Sequence, residues 1–336
     1  MEGGVVKVKI IDTHCDALFK MQVAKRDSLY HAPLLNFKDA TQLDTNFQRL
    51  QAGGVKVQFF AIFLHPELPS DEKWQHALEQ ADLFHSEIIA KNPLMRHIRS
   101  WPDINNLKEH EIGAVLTLEG AEPIGNDLVK LRHLYRLGVL SVGLTWNFAN
   151  LCADGAGEPR GAGLTLFGKE VVRANNENQV FTDVSHLAEQ GFWDVLELAE
   201  YPIASHSNTR ALCDHARNLS DEQARAMFNK NAMINVVFIP EFITSAGTTA
   251  TIPDLIRHID HFCSLGGVDQ VGFGSDFDGI KIYTENLRNA ADYPNLINEL
   301  QKHFTESQVE GFAHRNFLNH LPKRENSLQI KNTPLP

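Results

Sequence analysis

Residues 10–18 read IIDTHCDAL, an apolar pair that runs into His14 and Asp16 with one residue between them. In an extended chain, residues i and i+2 point to the same side, so His14 and Asp16 share a face and Cys15 points away. An imidazole and a carboxylate on one face can bind a cation or simply hydrogen-bond each other. Four further stretches repeat the arrangement of a polar side chain at the end of an apolar run. LTLEG carries Glu119 before Gly120, FTDVSH ends in His186, IASHS carries His206, and GFGSDFDG carries Asp276 with Asp278 beyond it. Together His14, Asp16, Glu119, His186, His206 and Asp276 mix imidazole with carboxylate, a donor set suited to Zn2+ or a similar borderline cation. The set exceeds the needs of one zinc, and a carboxylate shared between two ions is the economical arrangement. The other histidines, such as His31, His65, His76, His85, His97 and His258, fall on helix-like or loop-like stretches and are given no ligand role.

These residues need a scaffold that brings distant strand ends to one place. Eight stretches read as strands, at 6–14, 55–64, 113–120, 138–146, 179–186, 201–207, 233–239 and 269–276. Several are nearly continuous apolar runs, the pattern of strands buried on both faces of a parallel sheet. Helical patterns sit between them at 71–91, 126–138, 192–200, 220–230 and 253–267. Gly138 is placed to end the second of these, and Ser220 with Gln223 forms a capping-box pattern at the start of the fourth. Strands alternating with helices predict an α/β fold, a (β/α)8 TIM barrel, with a doubly wound open sheet as the alternative. Active sites of such barrels lie at the C-terminal ends of the strands, where all the polar residues above fall. The expected organisation is one barrel domain over 1–323 and a C-terminal tail over 324–336.

The chain has 336 residues, 43% of them hydrophobic, and its 31 basic and 42 acidic residues leave a formal charge of −11. An acidic balance argues against nucleic acid or an anionic membrane as partner. No apolar run approaches the ~18–20 residues of a spanning helix. Cys15, Cys152, Cys213 and Cys263 form no CxxC pair and no dense framework, which points to reduced thiols and a cytoplasmic protein.

At this point the chain resembles the membrane dipeptidase (renal dipeptidase) family of zinc metallopeptidases, in its soluble bacterial form. The resemblance rests on IDTHCD, on LTLEGAEPIGNDLVKLRHLYRLGVLSVGLTWN, on DVSH, SHSNTRAL and RNLSDEQ in that order, and on VGFGSDFDG, and it reaches from about residue 10 to 320. It implies a metal-dependent hydrolase barrel. His14 and Asp16 would bind one zinc, His186 and His206 a second, and Glu119 would bridge the two. Asp276 would handle protons and contact the substrate amine, and Arg217, in HARNLSD, would contact the substrate carboxylate. The implied activity is hydrolysis of free dipeptides by water activated between two zinc ions, with a D-residue at the C-terminal position and a homodimeric state both left open. The alternatives are a hydrolase of another small amide or ester and a non-catalytic metal-binding relative. Related barrels often begin with H-x-H, and Asp16 in that place favours the dipeptidase. One departure stands out. Some members carry a substrate-contacting histidine where this chain has Trp146, which leaves Asn147 or the metals themselves to polarise the substrate carbonyl.

Overall fold

The computed structural model describes residues 8–28 and 34–323. The first two residues of the expected strand at 6–14, His31 and the tail 324–336 lie outside the described residues. Among the described residues nine parallel strands form the sheet: β1 (Ile10–Asp12), β2 (Val55–Phe63), β3 (Met95–His97), β4 (Ile112–Glu119), β5 (Val139–Gly143), β6 (Phe181–Asp183), β7 (Pro202–Ala204), β8 (Met233–Val236) and β9 (Val271–Phe273). Because β2 pairs with both β1 and β4, and β9 pairs back to β1, eight of them close into a barrel. The ninth, β3, is the strand the sequence does not predict. It pairs with 112–114 at the start of β4, and β5 pairs with 116–119 farther along. It lies in KNPLMRHIRS, which holds no apolar run, and Met95 is buried while Arg96 is exposed.

The barrel interior is graded along its axis. Side chains alternate across each strand, so same-face residues line the inside in layers. Ile11, Val57, Phe59, Val115, Phe181, Ile203 and Met233 form one buried apolar cluster with Trp101 and Phe317. On β1, β4, β6, β7 and β8 the next positions on these faces are Thr13, Thr117, Asp183, Ser205 and Asn235, all buried and polar, while on β2 the next is Ala61. Thr13 Oγ1 donates across the interior to the Ser205 carbonyl at 2.6 Å, although β1 and β7 are not neighbours. The strands' opposite faces, with Ile10, Phe60, Ile62, Ala114, Leu116 and Leu118, pack against the helical shell in a second cluster. The apolar floor therefore supplies cohesion, and the polar layers above it begin the site.

Helices Leu128–Leu137 and Asp221–Asn229 form where the pattern places them. The first is capped by the Asp127 side chain and ended by Gly138 at φ 102°; the second carries the Ser220–Gln223 capping box. Helix Ile252–Phe262 buries Leu255, Ile256, His258 and Ile259. His258 is 1% exposed and has a fixed tautomer. The Thr209 backbone N–H donates to Nδ1 at 3.2 Å, so that nitrogen holds a lone pair, and Nε2 donates to the Ile243 carbonyl at 2.9 Å. This ring pins the segment that follows β7 to the outer shell. Burial pushes His258 down from 6.5 to about 4. Its folded pKa lies below the unfolded one, so its stabilisation is complete above about pH 6.5 and is lost as pH falls toward 4. The loss amounts to about 3 kcal/mol. Urea unfolding of wild-type and His258→Gln protein across this range checks it: the wild type should lose about that much more than the variant, and parallel curves would remove His258 as the cause.

Candidate active site

All six strand-end residues meet at the C-terminal mouth of the barrel. His14 and Asp16 follow β1, Glu119 ends β4, His186 follows β6, His206 follows β7 and Asp276 follows β9. Beyond β1 the chain stays extended beside the segment after β9: the Asp276 N–H donates to the His14 carbonyl at 3.2 Å and the Asp16 N–H to the Phe277 carbonyl at 2.9 Å. His14 Nε2 lies 3.6 Å from Asp16 Oδ2, 3.5 Å from Glu119 Oε2 and 3.9 Å from Asp276 Oδ1. On the far side of Glu119, Oε1 is 3.0 Å from His186 Nε2 and 3.8 Å from His206 Nε2. The Glu119 carboxylate thus stands between two groups, one centred on His14 and one on the histidine pair. His186 and Asp276 adopt left-handed backbone conformations, with φ 71° and 62°. Such conformations cost roughly 1–3 kcal/mol for a non-glycine residue and cluster where a site aims its side chains.

The donors fit a cation better than they fit each other. His186 Nε2 and His206 Nε2 are 2.9 Å apart. His186 Nδ1 faces the Asn147 amide oxygen at 2.7 Å, which can only accept, so Nδ1 carries the hydrogen and Nε2 a lone pair. His14 Nε2 and Asp16 Oδ1 are buried without a hydrogen-bond partner, a costly arrangement unless something else pairs with them. The atoms of His14, Glu119 and His206, and those of His14, Asp16 and Asp276, lie within 4.8 Å of one another.

The electrostatics ask for positive charge at the same place. Burial and the neighbouring Asp16 carboxylate push Asp276 well above the usual carboxylate range. Burial alone would lower His14, but Glu119 and Asp16 outweigh it and hold the imidazole well above its usual range. His186 is pushed down to about 3 by burial and by Arg217. His206 falls well below its usual range through burial and His14. One histidine facing the carboxylates is drawn toward a proton while the facing pair stays neutral, a set able to hold divalent cations.

Arg217 borders the histidine pair. It is 5% exposed, its Nη2 donates to the His206 carbonyl at 3.2 Å, and its Nε has no partner. Burial lowers it to about 10, and the nearest opposing charges are Asp276, Glu119 and Asp183. Trp146 stands beside His186 with ring centroids 6.0 Å apart, and its other ring neighbours are Phe63 and Phe148, each at 5.6 Å. Asn147, left open above as a carbonyl-polarising group, has its amide oxygen against His186 Nδ1, so only its NH2 group could donate to a carbonyl.

Sequence reasoning missed the layer beneath these residues. Asp12 Oδ1 accepts from the Ser275 N–H at 2.9 Å and the His14 N–H at 3.2 Å, and its Oδ2 accepts from Ser275 Oγ at 2.7 Å. Asp183 repeats the device: Oδ1 accepts from the Ser185 and Ser205 N–H groups, both at 3.0 Å, and Oδ2 accepts from Ser205 Oγ. Each aspartate lies just before a site histidine, and each serine lies just before a site residue on the neighbouring strand. The chain shows the residues themselves, in DTH, DVSH, SD and SH, but not which of them pair. Asp278, in contrast, points away from the mouth. Its carboxylate accepts from Lys20 Nζ at 3.0 Å, the Asp44 N–H at 2.7 Å, the Thr45 N–H at 3.1 Å and Thr45 Oγ1 at 2.5 Å.

A closed parallel barrel with this donor set at its C-terminal mouth belongs to the metal-dependent hydrolase barrels. The chain belongs to the membrane dipeptidase family (peptidase family M19), whose description matches residues 5–333. It is 30% identical over 339 residues to an uncharacterized dipeptidase of Schizosaccharomyces pombe, an alignment covering 94% of this chain and 80% of that protein. A metallopeptidase from Rhodobacter sphaeroides, crystallised with a phosphinate mimic of the dipeptide L-Ala-D-Ala, superposes with a TM-score of 0.85 at 25% identity, covering 94% of this chain and 99% of that one. Dipeptidase AC, a metallopeptidase of family M19, gives 0.84 at 26% identity over 94% and 98% of the two chains. The chain is therefore a metallopeptidase of the dipeptidase class. Among the described residues no helix is long and apolar enough to cross a membrane.

Asp278→Asn removes one partner from a buried ion pair and its hydrogen bonds, and should lower the unfolding free energy by about 3 kcal/mol while folded protein keeps its metal content. Denaturant unfolding combined with elemental analysis checks this. Metal loss at unchanged stability would put Asp278 in the site instead.

Proposed function

We propose that the protein hydrolyses free dipeptides with two divalent ions, zinc being the fitting metal, held by His14 and Asp16 on one side, His186 and His206 on the other, and Glu119 between them. The observation that carries this reading is the position of Glu119, with one oxygen toward His14 and the other toward the histidine pair. Zinc held there supplies Lewis acidity and lowers the pKa of a water from about 15.7 to about 7.

The chain's own residues supply the rest. Asp276, raised by burial and by Asp16, takes the proton of the attacking water and returns it to the leaving amine, a general base and then a general acid. Its carboxylate and that of Asp16 also give the substrate's ammonium group a place on the acidic side. Arg217 holds the C-terminal carboxylate with the planar fork that suits it, and its buried Nε is left for that contact. The dipeptide mimic bound by the Rhodobacter sphaeroides relative carries a D-residue in the second position, which supports acceptance of a D-residue there by this chain.

Two predictions test the reading. Protein loaded with zinc should hold two ions per chain and cleave dipeptides from a library with L- and D-residues at the C-terminal position. Asp276→Asn should keep both ions and lose about 10²–10⁴-fold in kcat. A plateau at one ion, or near-normal turnover of the variant, would overturn the two-ion site or the role of Asp276, respectively. The second concerns Arg217. Hydrogen bonds to charged groups contribute about 1.5–3 kcal/mol, so wild-type kcat/KM should fall by about one to two orders of magnitude when the dipeptide is C-terminally amidated. Arg217→Met should erase most of that difference. Equal penalties in both enzymes would show that Arg217 does not hold the carboxylate.

A further inference from the structure

We propose that Asn147 and the Asp183–Ser205 pair are positioning residues that hold His186 and His206 as Nδ1–H tautomers, so that both Nε2 lone pairs face one cation beside Glu119. The inference rests on the proposed two-ion site and assigns a task to three residues that do not themselves reach the ions.

For His186 the deciding contact is the Asn147 Oδ1, 2.7 Å from Nδ1. An amide oxygen has no hydrogen to give, so Nδ1 must donate. The backbone that carries the ring is fixed, because the His186 carbonyl accepts from the Ala156 N–H at 2.6 Å and from Thr145 Oγ1 at 3.4 Å. Asn147 itself lies in the loop that follows β5, next to Trp146, whose ring tilts against His186.

For His206 the tautomer follows from a chain of two contacts. Ser205 Oγ lies against Asp183 Oδ2 and 2.7 Å from His206 Nδ1. The hydroxyl has one hydrogen. A carboxylate can only accept, so that hydrogen goes to Asp183, and Ser205 Oγ is left to accept from Nδ1–H. The Ser185 and Ser205 N–H groups on Asp183 Oδ1 hold the carboxylate in place. The His206 backbone is fixed in turn, its N–H donating to Ser185 Oγ at 3.1 Å. Both relays end at the same point, where the two Nε2 atoms stand 2.9 Å apart with Glu119 Oε1 beside them. Two lone pairs at that separation repel each other, and a cation held beside both Nε2 atoms would relieve the repulsion. Partners of this kind commonly change metal affinity by about 10–100-fold.

The test reads the tautomers directly. Protein labelled with ring-15N histidine is compared before and after zinc loading, with His186→Gln and His206→Gln used to assign the two rings. Both should show a protonated Nδ1 and a lone-pair Nε2 without zinc, and Nε2 alone should shift when zinc is added. A protonated Nε2 on either ring of the zinc-free protein would overturn the proposal for that ring. Competition with a chromogenic chelator then measures zinc affinity. Asn147→Leu and Ser205→Ala should weaken one of the two ions about 10–100-fold, and Asn147→Asp, which keeps an acceptor toward Nδ1, should restore it. An Asn147→Asp variant as weak as Asn147→Leu would also overturn the proposal. Wild-type protein that shows these tautomers and takes two ions but cleaves no dipeptide removes the proposed function alone. Dipeptide cleavage with the opposite tautomers removes this inference alone.

Discussion

Several lone pairs and negative charges from separate strand ends are forced to converge at one barrel mouth, and this convergence constrains everything around it. His14, Asp16, Glu119, His186, His206 and Asp276 are all largely withdrawn from water, and their polar atoms face one another instead of donors. Removing charge from water without a partner is expensive. The fold tolerates it because the apolar floor of the barrel and the outer shell bury two large clusters that do not depend on the site. It also tolerates left-handed backbone at His186 and Asp276. An added Cβ at Gly274 would come within 1.8 Å of the Ser205 carbonyl, so only glycine lets the end of β9 pass so close to β7.

The second layer turns that convergence into fixed geometry. Asp12 and Asp183 occupy equivalent places, each below a histidine and each clamped to a serine on an adjacent strand end. Burial raises both aspartates, and the hydrogen bonds from Ser275 and Ser205 work against it. Neither reaches into the mouth. Their effect is to tie β1 to the segment after β9, and β6 to the segment after β7, so the side chains above cannot move apart independently. The Lys20–Asp278–Asp44 network does the same on the outer side of β1, where Lys20 offsets two carboxylates and the Asp44 and Thr45 N–H groups complete the hydrogen bonding.

The sequence makes the barrel legible because its eight predicted strands are apolar runs, five of them ending in a polar residue, and that pattern depends only on the local chain. The strand β3 escapes because it lies in KNPLMRHIRS, which holds no apolar run. The six residues at the mouth are legible for the same local reason. Their helpers are not. Asn147 becomes the partner of His186, and Ser205 the link between Asp183 and His206, only through loop course and inter-strand register, which no local pattern encodes. Asp276 and Asp278 differ even less in sequence, two residues apart in SDFDG and both at positive φ, yet one faces His14 and the other is enclosed by Lys20, Asp44 and Thr45. What separates them is the loop 44–45, which comes from more than 200 residues upstream in the chain.

The site is also polarised across its width, and on the proposed function this polarity does much of the selecting. Asp16 and Asp276 lie on the His14 side. Arg217 lies beyond the neutral histidine pair, braced against the His206 carbonyl and over the ring of Phe242 at 5.5 Å. A free dipeptide is a zwitterion whose two charges are separated by one peptide bond. On the proposed function it lies with its ammonium toward the carboxylates and its carboxylate toward Arg217. A longer peptide cannot place both charged ends this way around the same bond, and an acetylated or amidated one would leave Asp276 or Arg217 facing nothing. Buried charged groups penalise a missing partner more than they reward a present one. On the proposed function, selection for two residues and two free ends then follows from the charges at the mouth.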